Sequence, residues 1–166
     1  GEDSEYVTFK GKEIFRFTTS GVFVGKYTLS DSSVTEIRGG GCGWVDPGDG
    51  GRVEKLFMGV VKGNSGYVHE SMVPQPTVNL NTNPRGLATK GTDFEVILDA
   101  TPKDKIVKIN GSSGQIDTSW GENGAINAPD DEAEGIVIVT QAEETGFVQA
   151  GAYIVTNAAK TMELCN

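Results

Sequence analysis

The sequence predicts an all-β protein, and three observations lead to that prediction. Short runs rich in valine, isoleucine and aromatic residues recur roughly every ten positions, with glycine, asparagine, aspartate or proline between them. Glycine makes up 23 of the 166 residues, about twice its usual share of ~7%, which is typical of a chain with many turns. Only residues 157–164 have a composition that permits a helical turn or two, and a tail is the alternative there.

Short strands fill the first forty residues. Residues 6–9 and 14–17 flank Lys-Gly-Lys, where glycine permits the positive φ of a tight turn, so the two runs are predicted to form a hairpin. Further short strands are expected at 22–24, 26–29 and 34–37. Residues 1–74 are therefore predicted to form a small β-barrel or β-sheet module.

A glycine-rich segment follows at residues 39–51, in which seven of thirteen positions are glycine. Because each ordered glycine costs more backbone entropy than any other residue, this segment is predicted to be a long exposed loop. Strand pairing is expected to resume at 53–61 and 67–73, on either side of a turn at 62–66.

Pro74-Gln75-Pro76 interrupts the strand pattern, because proline cannot donate a hydrogen bond to a sheet ladder. We place a domain boundary between residues 74 and 75. The charge also changes there: residues 1–74 carry 8 basic and 10 acidic side chains, whereas residues 75–166 carry 6 and 13.

The second part has the strand spacing of an antiparallel β-sandwich. Asn110-Gly111 is a dipeptide suited to a type I′ turn, and Trp120 is expected to cap the sandwich core. Strands are predicted at residues 77–80, 94–98, 105–109, 115–118, 135–140 and 147–155.

Three features of this part carry a family resemblance: the proline-led strand Pro76-Thr77-Val78, the apolar strand at 94–98, and the corner at 131–135 that leads into 136–139. With these features, residues 75–157 resemble the immunoglobulin-like domains of bacterial adhesins and phage virions. That family usually ends the corner in a tyrosine, where this chain has Gly135. The resemblance implies an immunoglobulin-like β-sandwich over residues 75–166. Residues 66–73 are similar to the closing strand of small SH3-like barrels.

Cys42 and His69, the only histidine, are the residues that a thiol nucleophile and its base would require. No helix is predicted near Cys42 to lower the pKa of the thiol. We therefore interpret Cys42 as a small loop or core residue, and His69 as lying on the outward face of a strand whose inward face carries Val68. Cys42 and Cys165 fit a long-range disulfide, two separate thiols or an intermolecular link.

Other candidate binding residues belong to the glycine-rich segment or to acidic turns. Trp44, within the predicted loop, is a candidate contact residue, and with Tyr67 it is a candidate sugar platform. Asp46 and Asp49 resemble half of a calcium loop, although solvated turns explain these carboxylates equally well. A second possible calcium site comprises Asp130, Asp131, Glu132 and Glu134.

Composition excludes several classes of function. A net charge of −9 and a pI near 4.6 argue against nucleic acid as a partner, because a phosphate backbone is bound by clustered basic side chains. No apolar run approaches the ~20 residues that span a bilayer. No phosphate-cradling motif with its lysine, CxxC pair or serine elbow occurs, and no cofactor is expected.

The sequence therefore favours a non-enzymatic display or attachment protein. We expect a phage virion component, such as a capsid decoration or tail accessory protein, that binds a capsid or tail lattice or a host surface. The glycine-rich segment is the expected docking element, and homo-oligomerisation stays open. The first alternative is an extracellular or cell-surface adhesin or carbohydrate-binding module with a glycan partner. The second alternative is a cysteine-dependent hydrolase.

Overall fold

The computed structural model describes residues 5–45, 49–51, 53–71, 78–128, 132–138, 153–157 and 162–165. These residues form fifteen strands in four antiparallel sheets, none of which closes into a barrel, and they contain no helix. The predicted all-β class is confirmed. For the N-terminal module, the sheet alternative is correct.

The four sheets follow one another along the chain. The first sheet comprises β1 (Glu5–Lys10), β2 (Glu13–Thr18) and β3 (Phe23–Thr28). The second comprises β4 (Val34–Val45), β5 (Val53–Lys62), β6 (Ser65–Glu70) and β7 (Val78–Asn79). The third comprises β8 (Pro84–Lys90), β9 (Asp93–Leu98), β10 (Lys105–Asn110), β11 (Gln115–Ile116) and β12 (Ala125–Asn127). The fourth comprises β13 (Ala133–Ile138), β14 (Tyr153–Asn157) and β15 (Met162–Cys165).

The sheets stack as four layers with three apolar cores between them. Successive side chains of a strand point to opposite faces, so Met58 of β5 enters the first core while Phe57 enters the second. In β9, Val96 enters the second core while Ile97 enters the third. The second and third sheets are therefore interior layers, each buried on both faces.

Each core joins two neighbouring sheets. The first contains Ile14, Leu29, Val34, Ile37, Met58 and Val60. The second contains Phe57, Val68, Val78, Leu80, Leu87, Phe94, Val96, Leu98, Val107 and Ile109. The third contains Ala88, Ile97, Ile106, Ala128, Ala133, Ile136, Ile138 and Val155, with Trp120 packed against it. The packing of the third sheet on the fourth is compatible with the β-sandwich predicted for the second part.

The predicted domain boundary between residues 74 and 75 lies outside the described residues. On either side of it, β6 and β7 pair in antiparallel fashion, with Val68 opposite Val78. The second core takes Phe57 from the N-terminal part and Phe94 from the C-terminal part, with ring centroids 4.5 Å apart. The division into two independent domains stays a prediction, and the described contacts cross it.

The predicted loop at residues 39–51 is wrong for residues 39–45, which belong to β4 and pair with β5 as far as Val45 opposite Val53. The glycines let β4 approach the third sheet closely. A Cβ built on Gly39, where φ is +86°, would lie 2.9 Å from the Leu87 backbone nitrogen, and one on Gly43 would lie 3.2 Å from the Gly91 carbonyl oxygen. Packing against the third sheet thus offsets the entropy cost of ordering these glycines.

Three further predictions differ from the structure. The strands predicted at 22–24 and 26–29 are one strand, β3. Strands β8 and β12 were not predicted, since Pro84 and Gly86 are typical of loops. At the C-terminus, residues 162–165 form β15 rather than a helical turn.

His69 lies inside the protein, with 1% of its surface exposed, which corrects the outward position predicted for it. It lies directly opposite Met58 in the ladder, so both side chains point toward the first core. The first sheet covers this face of the second sheet. The alternation of side chains along one strand does not show that another sheet packs on this face.

Asp104 connects the third sheet to the fourth. The carboxylate is fully buried and accepts hydrogen bonds from the backbone N–H of Ala100 at 3.2 Å and of Ala133 at 3.1 Å. Arg85 completes the site through an ion pair, with 3.2 Å between Nε and Oδ2. These partners offset only part of the cost of burying the carboxylate beside β13, so burial still raises the pKa of Asp104.

Asp31 fixes the entry to β4. The Asp31 carboxylate accepts hydrogen bonds from the backbone N–H of Ser33 at 2.9 Å and from the Ser33 hydroxyl at 2.5 Å, and Lys62 Nζ lies 3.2 Å away. The two hydrogen bonds from Ser33, helped by Lys62, lower the pKa of Asp31 to about 2. The ionised carboxylate therefore holds the chain where it enters the second sheet.

We expect Gly39→Ala to lower the free energy of unfolding by about 2–4 kcal/mol, because the new methyl group meets backbone atoms at a positive φ. The control is Gly25→Ala in β3, where an added Cβ meets nothing within 4 Å and the expected change is within about 0.5 kcal/mol. Urea denaturation measures both. Equal midpoints for the two variants would contradict the close packing of β4 on the third sheet.

We expect the Asp31→Asn variant to be less stable than the parent at neutral pH, with the difference vanishing in acid. The folded-state pKa of Asp31, about 2, lies below the unfolded value of ~3.9. The ionised carboxylate therefore contributes its full stabilisation above pH ~3.9 and loses it as the pH falls toward 2. Urea midpoints from pH 7 to pH 2 measure the difference, with Asp49→Asn as an exposed-turn control. A difference that grows on acidification would contradict this assignment.

Candidate binding surface

The first sheet presents aromatic side chains on the face that points away from the rest of the protein. In β2, Ile14 is buried in the first core, so its neighbour Phe15, and then Phe17, point to the opposite face. Arg16, between them, points inward. At Phe15, Arg16 and Phe17 this is the reverse of the usual apolar-in, polar-out arrangement of a sheet with one solvated face, whereas Ile14 follows that arrangement, and the Phe15 and Phe17 side chains are partly buried.

Contacts across the ladder hold this outward face together. The rings of Phe17 and Phe23 lie with their centroids 5.6 Å apart. Lys26 Nζ lies 6.0 Å from the Phe15 ring centroid and 2.6 Å from a carboxylate oxygen of Glu13. We call these five residues the aromatic face. It combines three apolar rings with one ion pair at its side.

The strand β3 is an edge of the first sheet and carries most of the exposed apolar surface. Four of the seven large hydrophobic residues that are exposed in the described part of the chain lie in or next to it: Val22, Phe23, Val24 and Tyr27. An edge strand also offers unpaired backbone N–H and C=O groups to another chain. Both features favour contact with a partner along β3.

The first sheet is basic although the whole chain is acidic. Residues 5–28 contain four basic side chains and two acidic ones, so this segment has a net charge of +2 where the whole chain has −9. The basic residues are Lys10, Lys12, Arg16 and Lys26, and the acidic ones are Glu5 and Glu13. A partner with an acidic surface is therefore attracted to this end of the molecule.

A cavity of about 580 Å³ separates the inward face of the first sheet from the second sheet. Arg16 and Tyr27 both line it: Arg16 Nη1 donates an exposed hydrogen bond to the Tyr27 hydroxyl at 2.9 Å, and the guanidinium carbon lies 5.4 Å from the Tyr27 ring centroid. The described residues that line the cavity are Val7, Ile14, Arg16, Tyr27, Thr28, Leu29, Ser30, Cys42, Leu56 and Ser71.

Cys42 lines this cavity as a free, exposed thiol. Partial burial raises the pKa of the Cys42 thiol, and the negative charge of Glu54 raises it further. Both effects disfavour the thiolate, which is the nucleophilic form of cysteine. Neither effect activates the Cys42 thiol as a nucleophile.

The structure does not bring Cys42 and His69 together. Strand β5 lies between the strands that carry them, so their backbones are about 10 Å apart across the sheet, twice the spacing of neighbouring strands. They are also offset by two residues along the strands, because Cys42 pairs with Leu56 and His69 pairs with Met58. His69 Nδ1 instead contacts the Glu70 carbonyl oxygen at 2.8 Å. These two residues therefore do not form the thiol–imidazole pair that a cysteine hydrolase requires.

The described residues do not include a sugar platform formed by Tyr67 and Trp44. Tyr67 is partly buried and packs against the first core, so its ring is not available as a flat exposed surface. Trp44 lies opposite Glu54 in the β4–β5 ladder, and its side chain lies outside the described residues. Asp46 also lies outside them, while Asp49 is exposed and accepts a hydrogen bond from the Gly51 N–H at 2.9 Å.

The structure supplies no calcium site from the residues it describes. Of the acidic residues predicted for such a site, Asp130 and Asp131 lie outside the described part of the chain, and Glu132 and Glu134 are exposed. Within the described ranges, no group of three or more histidine, cysteine, aspartate or glutamate residues is arranged to hold a metal ion. The same ranges contain no helix that is long and apolar enough to cross a membrane.

Sequence reasoning identified Cys42 but missed the aromatic face. The signal is present in Ile14-Phe15-Arg16-Phe17, where phenylalanine occupies every second position. The sequence alone predicts only a hairpin there, because the face that points inward depends on which residues reach the first core.

No family model matches this chain, and no curated protein sequence matches it.

Proposed function

We propose that this chain is a non-enzymatic attachment protein whose first sheet binds a larger protein assembly. The observation that carries the proposal is the reversed alternation in β2, which places Phe15 and Phe17 on the outer face of the outermost sheet. Both rings are partly buried, and Phe23 beside Phe17 is exposed, so a partner has access to the outward parts of these rings.

The aromatic face has the composition of a binding hot spot. Aromatic side chains give large contact area for little conformational entropy, and burying one ring contributes about 2 kcal/mol. Phe23 is the most accessible of the three rings, with 56% of its surface exposed. We therefore assign it the role of central anchor.

The edge strand β3 and the local charge complete the binding mode. A partner strand that pairs with β3 would gain backbone hydrogen bonds, as in β-augmentation, while the aromatic face supplies side-chain contacts. The net positive charge of residues 5–28 favours an acidic partner surface and speeds encounter with it.

In its specific form, the proposal is a phage virion component, either a capsid decoration or a tail accessory protein. It is supported by the resemblance of residues 75–157 to immunoglobulin-like display domains and by the sheet packing compatible with a β-sandwich. The first sheet would face the capsid or tail lattice, and the fourth sheet would lie at the far end of the stack. The adhesin alternative depends on Trp44 and Tyr67; Tyr67 packs against the first core, and the side chain of Trp44 lies outside the described residues.

The test is co-sedimentation of the purified chain with particles of the source phage that have been stripped of it. We expect Phe23→Ser to bind about 10- to 100-fold more weakly, because it removes the anchor ring. The matched control is Val137→Ser in β13, since Val137 is 59% exposed at the opposite end of the stack.

Three outcomes would contradict the proposal. Equal binding by Phe23→Ser and the parent would remove the aromatic face as the docking surface. Equal loss in Phe23→Ser and Val137→Ser would show that the binding is non-specific. Absence of the chain from purified particles, measured by mass spectrometry, would reject the virion assignment. Urea midpoints of both variants establish that they remain folded.

A further inference from the structure

We propose that Asn110 is a self-modifying residue, whose side-chain amide reacts with the following backbone nitrogen, loses ammonia and becomes aspartate or isoaspartate. The site lies at the turn between β10 and β11 of the third sheet, so it is separate from the aromatic face. The sequence contains a second Asn-Gly dipeptide, Asn123-Gly124, which provides an internal comparison. The structure distinguishes the two dipeptides.

The reaction needs only the chain itself and water. The backbone nitrogen of Gly111 loses its proton to solvent and attacks Cγ of Asn110, so a new nitrogen–carbon bond closes an imide ring. The bond between Cγ and Nδ2 of Asn110 breaks, and the amide nitrogen takes up a proton and leaves as ammonia. Water then opens the imide at either of its carbonyl carbons. One opening gives aspartate, and the other gives isoaspartate, in which the main chain passes through Cγ.

The attacking nitrogen is available at Gly111 and engaged at Gly124. Within the described part of the chain, the Gly111 N–H takes part in no hydrogen bond. The Gly124 N–H instead donates to the Trp120 carbonyl oxygen at 2.8 Å. A hydrogen-bonded amide must open before it can lose its proton, so Gly124 reacts only from an opened turn. Gly124 is also buried, whereas Gly111 is partly exposed.

The turn polarises the carbonyl group that is attacked. Oδ1 of Asn110 accepts hydrogen bonds from the backbone N–H of Ser112 at 3.0 Å and from that of Ser113 at 2.9 Å. Negative charge develops on Oδ1 when Cγ becomes tetrahedral, and N–H donors that already point at this oxygen stabilise the charge. The backbone of residues 112–113 therefore acts as an oxyanion hole for the side chain of Asn110.

Solvent access to the side chain does not separate the two asparagines, because Asn110 and Asn123 are both exposed. Glycine after Asn110 is a requirement of the fold. A Cβ built on Gly111 would lie 1.6 Å from the Thr92 carbonyl oxygen, so a larger residue would displace the backbone there. The same absence of a side chain leaves the Gly111 nitrogen unobstructed for attack on Cγ.

The modification changes both charge and backbone at the edge of the third sheet. Either product adds a carboxylate to a chain whose net charge is already −9. Isoaspartate also lengthens the main chain at the position where Asn110 pairs with Gln115. Strand β11 is held to β10 by this pair and by Ile109 opposite Ile116, so lengthening the turn loosens β11.

The experiment incubates the full chain at mildly alkaline pH, once folded and once in guanidinium chloride. Peptide mass spectrometry then measures the mass gain that accompanies conversion of an amide to a carboxyl group. Cleavage before Asp104, Asp117 and Asp130 places the two asparagines on separate peptides. In the folded chain we expect Asn110 to be converted about tenfold faster than Asn123. In guanidinium chloride the hydrogen bonds are lost, so the two rates should converge.

A matched pair of variants assigns the modified residue in the whole chain. Isoelectric focusing measures the negative charge that the folded chain gains during incubation. Asn110→Gln lengthens the side chain by one carbon, which disfavours ring closure, so this variant should lose most of the charge gain. Asn123→Gln makes the same change at the comparison site and should leave the charge gain nearly unchanged. Urea midpoints establish that both variants remain folded.

Several results would overturn the proposal. Equal conversion of Asn110 and Asn123 in the folded chain, or faster conversion of Asn123, would reject Asn110 as the favoured site. A rate difference that persists in guanidinium chloride would assign it to the neighbouring sequence and reject the role of the turn. A full charge gain in Asn110→Gln would place the reaction elsewhere. None of these results bears on attachment through the aromatic face.

Discussion

The close approach of β4 to the third sheet is the contact on which the rest of this structure depends. Gly39 and Gly43 replace side chains with backbone-to-backbone packing, and the Thr89 hydroxyl donates to the Cys42 carbonyl across the same gap. The second sheet is held against its neighbour at this contact and buries Phe57 and Val68 in the second core. Larger side chains on this face of β4 would force the two layers apart.

Burial of the second sheet on both faces determines where the candidate sites lie. With one face on the third sheet, its other face carries Met58, Val60 and His69 toward the first sheet. The first sheet therefore becomes an outer layer, as the fourth is at the other end of the stack. Its inward face is only partly filled and leaves the cavity beside Cys42, while its outward face presents Phe15, Phe17 and Phe23. The proposed docking surface follows from how this one sheet is covered.

Strands with strong local patterns were predictable from the sequence. The hairpin of β1 and β2 and the strands β9 and β10 have β-branched or aromatic runs bounded by turn residues, and the structure confirms them. These features need only local information. The all-β class followed from their number and spacing.

Features that depend on contact between distant residues were not predictable in this way. Packing against β8 offsets the entropy cost of ordering the glycines of β4. The contact is between residues distant in sequence, since Cys42 and Thr89, which share a hydrogen bond, are 47 residues apart. Considered alone, these glycines are typical of a loop. His69 was placed outward because its strand alternates, and only the covering first sheet reveals that this face is buried. The aromatic face was missed for the same reason: its orientation depends on which residues reach the first core.

Differential scanning calorimetry of the full chain tests the four-layer account most directly. Because the second core draws side chains from both sides of residue 74, the described layers should unfold together. The account predicts one transition whose calorimetric and van't Hoff enthalpies agree. Two resolved transitions, with the first two sheets melting separately from the last two, would contradict it.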